Sequence, residues 1–152
     1  MNYSLVTVGR KYRDYDEPFE LIEKLGIKNR VKHLSFVTKE VLLHLYNAAT
    51  VFVFPSLYEG FGIPVLEAMA CRTPVIVSNV SSLPEVAGNS AFLIDPYDVD
   101  SITDAIDRVL NSSSLQNRMR ESGLKRVKEF SWSKAATETV KVYRKAYNKE
   151  EK

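Results

Sequence analysis

Short apolar runs alternate along the chain with longer segments in which apolar residues recur every three or four positions. The runs predict strands, and the periodic segments predict helices. The predicted strands are residues 4–8, 31–35, 51–54, 73–78 and 91–94, and the predicted helices are 18–25, 39–49, 64–70, 101–110, 114–130 and 132–147. Alternation of this kind indicates an α/β fold, with a Rossmann-like, doubly wound parallel sheet and helices on both faces. We expect a single domain over residues 1–152.

The central segment, residues 51–71, joins a strand to a helix through a glycine-containing loop. The strand Val51–Phe54 is continuously apolar, as expected when both faces are covered. Gly60 and Gly62 allow a tight turn and a close backbone approach to a ligand. Pro64 suits the first turn of a helix. In such sheets ligands bind at the carboxyl ends of the strands, so this loop predicts an anion-binding corner at that edge.

Two carboxylates flank the corner, Glu59 before the glycines and Glu67 in the first turn of the predicted helix. Glu67 could simply complement the helix dipole, and Glu59 could be solvated. Alternatively, the free N–H groups of Val65 and Leu66 would hold a diphosphate while the carboxylates accept hydrogen bonds from sugar hydroxyls. Together these features fit a nucleoside-diphosphate sugar, although the spacing of the two glutamates alone does not decide between the interpretations.

Composition narrows the function classes. A net charge of +2 argues against a dedicated nucleic-acid binder. One cysteine, Cys71, and two histidines give no zinc-ligand spacing, and a lone cysteine suits a reducing compartment, where we expect it to be buried and inert. No apolar run is long enough to span a bilayer. We therefore expect a cytoplasmic protein that needs no metal and no other cofactor.

The run FPSLYEGFGIPVLEAMACRTPVIVSNVSSLPEV, which begins at Phe54, resembles the donor-binding segment of family 4 retaining glycosyltransferases of the GT-B type, also called glycosyltransferases group 1. Its specific motif is an E-x7-E pair that encloses GFG-x-P. The similarity extends through RVKHLSFV, LHLYNAATVFVFPS, AFLIDPYDVDSITDAI and FSWSKAATETVKVYRKAY. It implies a mannosyltransferase-like hexosyltransferase with two domains. This chain would then be the C-terminal, donor-binding domain, shortened at its start, without the acceptor domain and inactive alone.

The resemblance also implies roles for individual residues. Glu67 would bind the ribose, and Glu59, the candidate catalytic residue, would face the transferred sugar near the reacting centre. The remaining donor-binding residues would act largely through their backbone: Gly60, Phe61 and Gly62 along the sugar, Ile63, Val65 and Leu66 at the diphosphate, and Phe36 and Val37 at the base. No metal is implied.

The diphosphate-binding Arg and Lys of the family belong to an earlier strand–loop unit that this chain lacks. We therefore interpret Arg10 and Lys11, in a predicted loop, as residues at the edge of the cleft. Glu85 is expected to cap a short helical turn on the surface. The last helix is expected to pack on its own domain, and Lys125, Arg126 and Lys128 to form a solvated basic face.

The implied ligands are a UDP- or GDP-linked sugar and an acceptor that is a glycan, a lipid-linked molecule or a small molecule. Polysaccharide or glycan synthesis and peripheral contact of the full enzyme with the inner membrane face would follow. The main alternative is a non-catalytic nucleotide-binding or interaction module that keeps the fold. A dinucleotide oxidoreductase is the weaker alternative, because no G-x-G-x-x-G opens a helix after the first strand.

Overall fold

The computed structural model describes residues 3–10 and 16–150, and the chain divides into two compact units, residues 1–44 and 45–152. The first unit contains β1 (Leu5–Val8), α1 (Glu17–Lys24), a 3-10 turn and β2 (Val31–Leu34), and it includes the start of α2 (Lys39–Ala48). β1 and β2 pair in parallel, with Leu5 opposite Val31. Lys11 and most of the predicted loop around it lie outside the described residues.

The second unit is built on a three-stranded parallel sheet in the order β3-β4-β5. Its elements, in chain order, are β3 (Phe52–Phe54), α3 (Ile63–Ala70), β4 (Val75–Ser78), α4 (Leu83–Ala87), β5 (Phe92–Ile94), α5 (Val99–Leu110), α6 (Ser113–Val127) and α7 (Trp132–Glu150). All four residues of the central strand β4 are buried, the apolar Val75, Ile76 and Val77 and also the polar Ser78. The expected α/β class with parallel strands is confirmed. The single domain over residues 1–152 stays a prediction.

The core of the second unit lies between the sheet and the helices that follow it. Ile76 and Ile94, from β4 and β5, pack with Ala105 and Val109 of α5 and Met119 of α6. These α5 residues are among those that the helical periodicity places inward. This core fixes the sheet edge at which the loops after β3 and β4 lie.

Gly123 shows why a poor helix former occupies the middle of α6. It is buried, and a Cβ added there would lie 3.2 Å from Cγ of Met69 in α3. The missing side chain therefore allows α6 to approach α3 closely. Packing at this position outweighs the low helix propensity of glycine.

The last helix differs from expectation. The described side chains of α7 are all exposed, including Val140, Tyr143 and Tyr147, which were predicted to pack on their own domain. That prediction was wrong, because the helical periodicity reports an apolar face but does not identify what covers it. Within the described part of the chain, no helix is both long and apolar enough to cross a bilayer.

Arg126 also departs from the expected solvated basic face. Only 22% of its side chain is exposed. Its guanidinium donates to the carbonyl oxygens of Glu85 at 2.5 Å and Val86 at 3.0 Å, in α4. It also pairs with Glu129 and lies 4.8 Å from the centroid of the Phe130 ring. Arg126 therefore ties the end of α6 to α4, the helix that follows the loop after β4.

Replacing Arg126 with methionine is expected to lower the free energy of unfolding by about 1.5–3 kcal/mol, because two carbonyl oxygens lose a charged donor. Urea denaturation followed by circular dichroism measures this change. Lys125→Met is the matched control, since Lys125 is exposed, and it should shift stability by less than about 0.5 kcal/mol. Equal losses in the two variants would contradict a structural role for Arg126.

Candidate functional site

The loop of residues 55–62 joins β3 to α3 at the carboxyl edge of the sheet. Gly62, the N-cap of α3, has φ +98°, and a Cβ there would lie 2.6 Å from Cδ2 of the buried Leu83. Gly62 is therefore required by the fold itself. Apart from its chain neighbours, Gly60 has no atom of a described residue within 4 Å of an added Cβ, so the space beside it is open. The two glycines of the motif serve different purposes.

Glu59 is half-buried and is held by three serines. Ser56 Oγ donates to its carboxylate oxygen Oε1 at 2.9 Å. Ser81 Oγ donates to its carbonyl oxygen at 2.5 Å and accepts from its N–H at 3.2 Å, and Ser82 Oγ lies 3.0 Å from the same carbonyl oxygen. Sequence patterns did not single out these serines. The interpretation of Glu59 as a freely solvated carboxylate is therefore wrong.

Glu67 is exposed and lies in the second turn of α3, because the helix begins at Ile63. The prediction that it lies in the first turn was wrong, and its interaction with the helix dipole is correspondingly weaker. Tyr46 Oη donates to Glu67 Oε2 at 3.2 Å. No described residue hydrogen-bonds to Oε1 of Glu67, so one carboxylate oxygen is held and the other remains available to a ligand.

Tyr46 is itself firmly positioned. It is 7% exposed, its ring meets that of Phe52 edge to face at 5.3 Å, and its carbonyl oxygen accepts from Thr73 Oγ1 at 2.6 Å. Burial, and then the Glu67 carboxylate, raise the pKa of Tyr46 well above its ordinary value. The phenol therefore stays neutral and able to donate throughout the physiological pH range.

Tyr46→Phe is expected to lower the free energy of unfolding by about 0.5–1.5 kcal/mol, the usual contribution of one hydrogen bond. The same substitution in a Glu67→Ala background should cost less, since its partner is already absent. Thermal or urea denaturation of the two single variants and the double variant measures the coupling. Strictly additive effects would show that the Tyr46–Glu67 contact contributes nothing.

At the start of α3, one of the three amides predicted to bind a diphosphate is already hydrogen-bonded within the protein. The Val65 N–H donates to the Gly62 carbonyl oxygen at 3.0 Å, and Val65 is fully buried. The prediction of a free Val65 N–H was therefore wrong, because the helix already forms a hydrogen bond there. Ile63 is exposed and Leu66 is half-buried, and contact of their amides with a diphosphate stays a prediction.

The ring of Phe61 is anchored on the protein side of the loop. It meets the ring of Phe130 edge to face at a centroid distance of 5.9 Å. It also lines an apolar groove of about 580 Å³ with Ile63, Leu66, Val127, Phe130, Trp132 and Ala135 among its walls. The Phe61 ring is 44% exposed, and contact of the Phe61 backbone with a sugar stays a prediction.

The other candidate residues belong to other elements of the fold. Phe36 and Val37 belong to the first unit, between β2 and α2, where Phe36 is 78% exposed and Val37 is half-buried. Their contact with a base stays a prediction. Glu85 is exposed in the first turn of α4, but the N-cap residue is Ser82 and no described side chain makes a capping hydrogen bond there, so the predicted cap was wrong. Its side chain shows no hydrogen bond to another described residue.

Cys71 is half-buried at the end of α3. Burial, and then the Glu67 carboxylate, raise the pKa of its thiol, while a hydrogen bond with Asn47 opposes them. The thiol is therefore protonated at neutral pH, which fits the predicted inert role. Among the described residues, no group of three or more His, Cys, Asp or Glu side chains is arranged to hold a metal ion.

Comparison with known proteins places this geometry in a family. Residues 1–126 match the family "Glycosyl transferases group 1". The chain is 41% identical over 144 residues to O-antigen chain mannosyltransferase B of Escherichia coli, a match that covers 95% of this chain and 38% of the relative. It is 43% identical over 131 residues to MMP alpha-(1->4)-mannosyltransferase of Mycolicibacterium hassiacum, with 84% and 32% covered.

A solved structure shows the same fold. Sucrose-phosphate synthase from Thermosynechococcus elongatus superposes with a TM-score of 0.81 at 30% identity, over 95% of this chain and 39% of that one. The chain belongs to the glycosyl transferases group 1 family, and its fold is the C-terminal half of the GT-B arrangement. It spans about two fifths or less of the length of these relatives.

Proposed function

We propose that this chain is the donor-binding part of a retaining mannosyltransferase that uses a nucleoside-diphosphate hexose. The single observation that carries the proposal is the arrangement of the loop and α3. Glu59 and Glu67 each retain one carboxylate oxygen without a described partner, and the open face of Gly60 lies on the loop between them. A surface with two available acceptors and an exposed backbone suits a ligand rich in hydroxyl groups.

The two carboxylates take different parts of the donor in this proposal. Glu67, held at Oε2 by Tyr46, accepts from the ribose hydroxyls with Oε1. Glu59 faces the hexose, whose ring lies over Gly60. The diphosphate lies at the start of α3, near the amides of Ile63 and Leu66, where the helix dipole favours negative charge.

Catalysis would depend on positioning and on charge. Holding donor and acceptor together lowers the entropic part of the barrier. Fixed dipoles at the start of α3 stabilise the negative charge that develops on the departing diphosphate. Cationic groups from the rest of the enzyme would complete this stabilisation. The acceptor hydroxyl then attacks the anomeric carbon from the same face that the diphosphate leaves, so the configuration at that carbon is retained.

Glu59 serves as an orienting group here and not as a covalent nucleophile. Its backbone is held by Ser81 and Ser82, and its Oε1 by Ser56, so the side chain has little freedom to move onto an anomeric carbon. The remaining oxygen can hydrogen-bond a sugar hydroxyl and stabilise positive character on the sugar ring. Retaining glycosidases, by contrast, use a carboxylate that bonds to the sugar.

The names of the relatives support a particular sugar and acceptor. Both of the curated relatives described above are mannosyltransferases, and one of them acts on an O-antigen chain. We therefore infer that the donor sugar is mannose and that the acceptor is a growing glycan, with the enzyme on the cytoplasmic side of a membrane. Family membership favours this function over a dinucleotide oxidoreductase.

Calorimetric titration of the 152-residue chain with GDP, UDP, ADP and their mannose or glucose conjugates tests the proposal. One nucleoside diphosphate should bind with a Kd in the high-micromolar to millimolar range, equivalent to about 4–6 kcal/mol. Its mannose conjugate should bind more tightly than its glucose conjugate. Absence of binding by every nucleotide would contradict the proposal, and binding without transfer by the complete protein would favour the non-catalytic module.

A further inference from the structure

Two hydroxyl groups in the turn between β4 and α4 hydrogen-bond to the backbone of the loop that carries Glu59. Ser81 Oγ forms reciprocal hydrogen bonds with both backbone groups of Glu59, at 2.5 Å to the carbonyl oxygen and 3.2 Å from the N–H. Ser82 Oγ lies 3.0 Å from the carbonyl oxygens of both Glu59 and Phe61. These contacts join residues more than twenty positions apart in the sequence.

Ser81 makes these contacts from a conformation that serine disfavours. Its φ is +60°, and among the described non-glycine residues only Arg72 shares a positive φ. Glycine adopts this φ without strain, whereas a side chain is strained there. Such strain persists where the surrounding structure maintains it, and it concentrates at ligand sites. What serine adds over glycine at this position is the hydroxyl that holds Glu59.

These contacts hold the backbone of Glu59, and one of its two carboxylate oxygens is also held. Ser56 Oγ holds Oε1 at 2.9 Å, and no described residue hydrogen-bonds to Oε2. With the peptide groups held by Ser81 and Ser82, the free oxygen is confined to a small region beside the open face of Gly60. An acceptor confined in this way is prepared to receive a hydrogen bond from a hydroxyl at one position.

We propose that Ser81 and Ser82 are positioning residues for the transferred sugar: their hydroxyls hold the Glu59 backbone so that its free carboxylate oxygen meets one hexose hydroxyl. The proposal rests on the proposed function, because it takes the ligand beside Glu59 to be the sugar of a nucleotide donor. The hydroxyls act on the loop and not on the nucleotide, so their effect belongs to recognition of the sugar alone.

The test compares a nucleotide sugar with its nucleoside diphosphate, using GDP-mannose with GDP, or UDP-glucose with UDP if uridine binds better. The Kd of the nucleoside diphosphate divided by the Kd of its sugar conjugate measures how much the sugar adds to affinity. Ser81→Gly removes the hydroxyl and also relieves the positive-φ strain. We expect it to reduce the ratio about 5- to 10-fold, the effect of losing one well-placed charged hydrogen bond, and to leave the diphosphate Kd within about twofold.

Matched variants separate positioning from a merely structural role. Ser82→Ala should reduce the ratio in the same direction, and Ser82→Thr, which keeps the hydroxyl, should restore it. Amide hydrogen exchange requires no ligand: the Glu59 amide should exchange faster in Ser81→Gly, since its acceptor is lost, but not in Ser82→Ala. Urea denaturation should show both variants to be folded, with similar midpoints.

Three results would overturn the inference. The first is an unchanged ratio in both Ser81→Gly and Ser82→Ala while Glu59→Gln abolishes the preference for the sugar conjugate, which would leave the proposed function intact. The second is failure of the unaltered chain to bind any nucleotide, in which case the proposed function fails and the positioning role fails with it. Parallel losses of diphosphate and conjugate affinity would likewise show a general structural effect.

Discussion

Replacing Glu67 with alanine is expected to weaken binding of the nucleoside diphosphate by about 1.5–3 kcal/mol, roughly 10- to 150-fold. The carboxylate is exposed on α3, Tyr46 holds its Oε2, and its Oε1 has no described partner. An ionised acceptor held in this way forms strong hydrogen bonds with ribose hydroxyls. Stability should fall only by about 0.5–1.5 kcal/mol, because the lost contact with Tyr46 is a single hydrogen bond.

Calorimetric titration of the variant with the ribonucleotide and its deoxyribose counterpart measures this effect. If Glu67 binds ribose hydroxyls, the unaltered chain should prefer the ribonucleotide, and Glu67→Ala should largely remove that preference. Glu121→Ala provides a control for the loss of an exposed helical carboxylate elsewhere in the unit. Equal ribonucleotide affinity in Glu67→Ala and the unaltered chain would leave Glu67 with only its structural contact to Tyr46.

Gly62→Ala is expected to lower the free energy of unfolding by about 2–5 kcal/mol. The left-handed φ of +98° costs a side chain about 1–2 kcal/mol, and overpacking against Leu83 adds about 1–3 kcal/mol. Leu83 is fully buried and cannot move away freely. The midpoint of urea denaturation should fall accordingly, with little change in its slope.

The matched control is Gly60→Ala, in the same loop. Beyond its chain neighbours, an added Cβ there meets no atom within 4 Å in the described part of the chain, so stability should change by less than about 0.5 kcal/mol. The methyl group would instead occupy the open space beside the loop, and donor affinity should fall. A stable Gly62→Ala variant, or a Gly60→Ala variant with unchanged donor affinity, would contradict the separate purposes assigned to the two glycines.

The elements of the fold could be predicted from sequence because their signals are local. All five predicted strands occur, and the central strand β4 is entirely buried. Predicted boundaries differ by only a few residues, as in α3, which begins one residue before Pro64. That single residue still changes the chemistry, because it places Glu67 in the second turn and weakens its interaction with the helix dipole.

The site itself depends on contacts between distant segments, which residue patterns do not reveal. Glu59 and Glu67 were identified through the motif, but their partners Ser81, Ser82 and Tyr46 lie 21 or more residues away in the sequence. A serine in a left-handed conformation has no sequence signature. Likewise, Arg126 resembles a surface cation until α4 is packed against it.

Helical periodicity misled at α7 for a related physical reason. It correctly predicts a helix with apolar residues at regular positions, among them Val140 and Tyr143, but these are exposed in the described structure. An amphipathic pattern states that a face is suited to burial and does not identify the surface that buries it. The periodicity of α7 was therefore not enough to predict that the helix packs on its own domain.

The central claim is that the β3–α3 loop binds the nucleotide sugar. The most direct test is a heteronuclear NMR titration of the 152-residue chain with the best-binding nucleoside diphosphate and its mannose conjugate. We predict saturable amide shifts concentrated between Gly60 and Glu67, with further shifts at Glu59 only for the conjugate. Shifts that avoid this loop, or a Glu67→Ala variant that gives the same shifts at the same affinity, would contradict the claim.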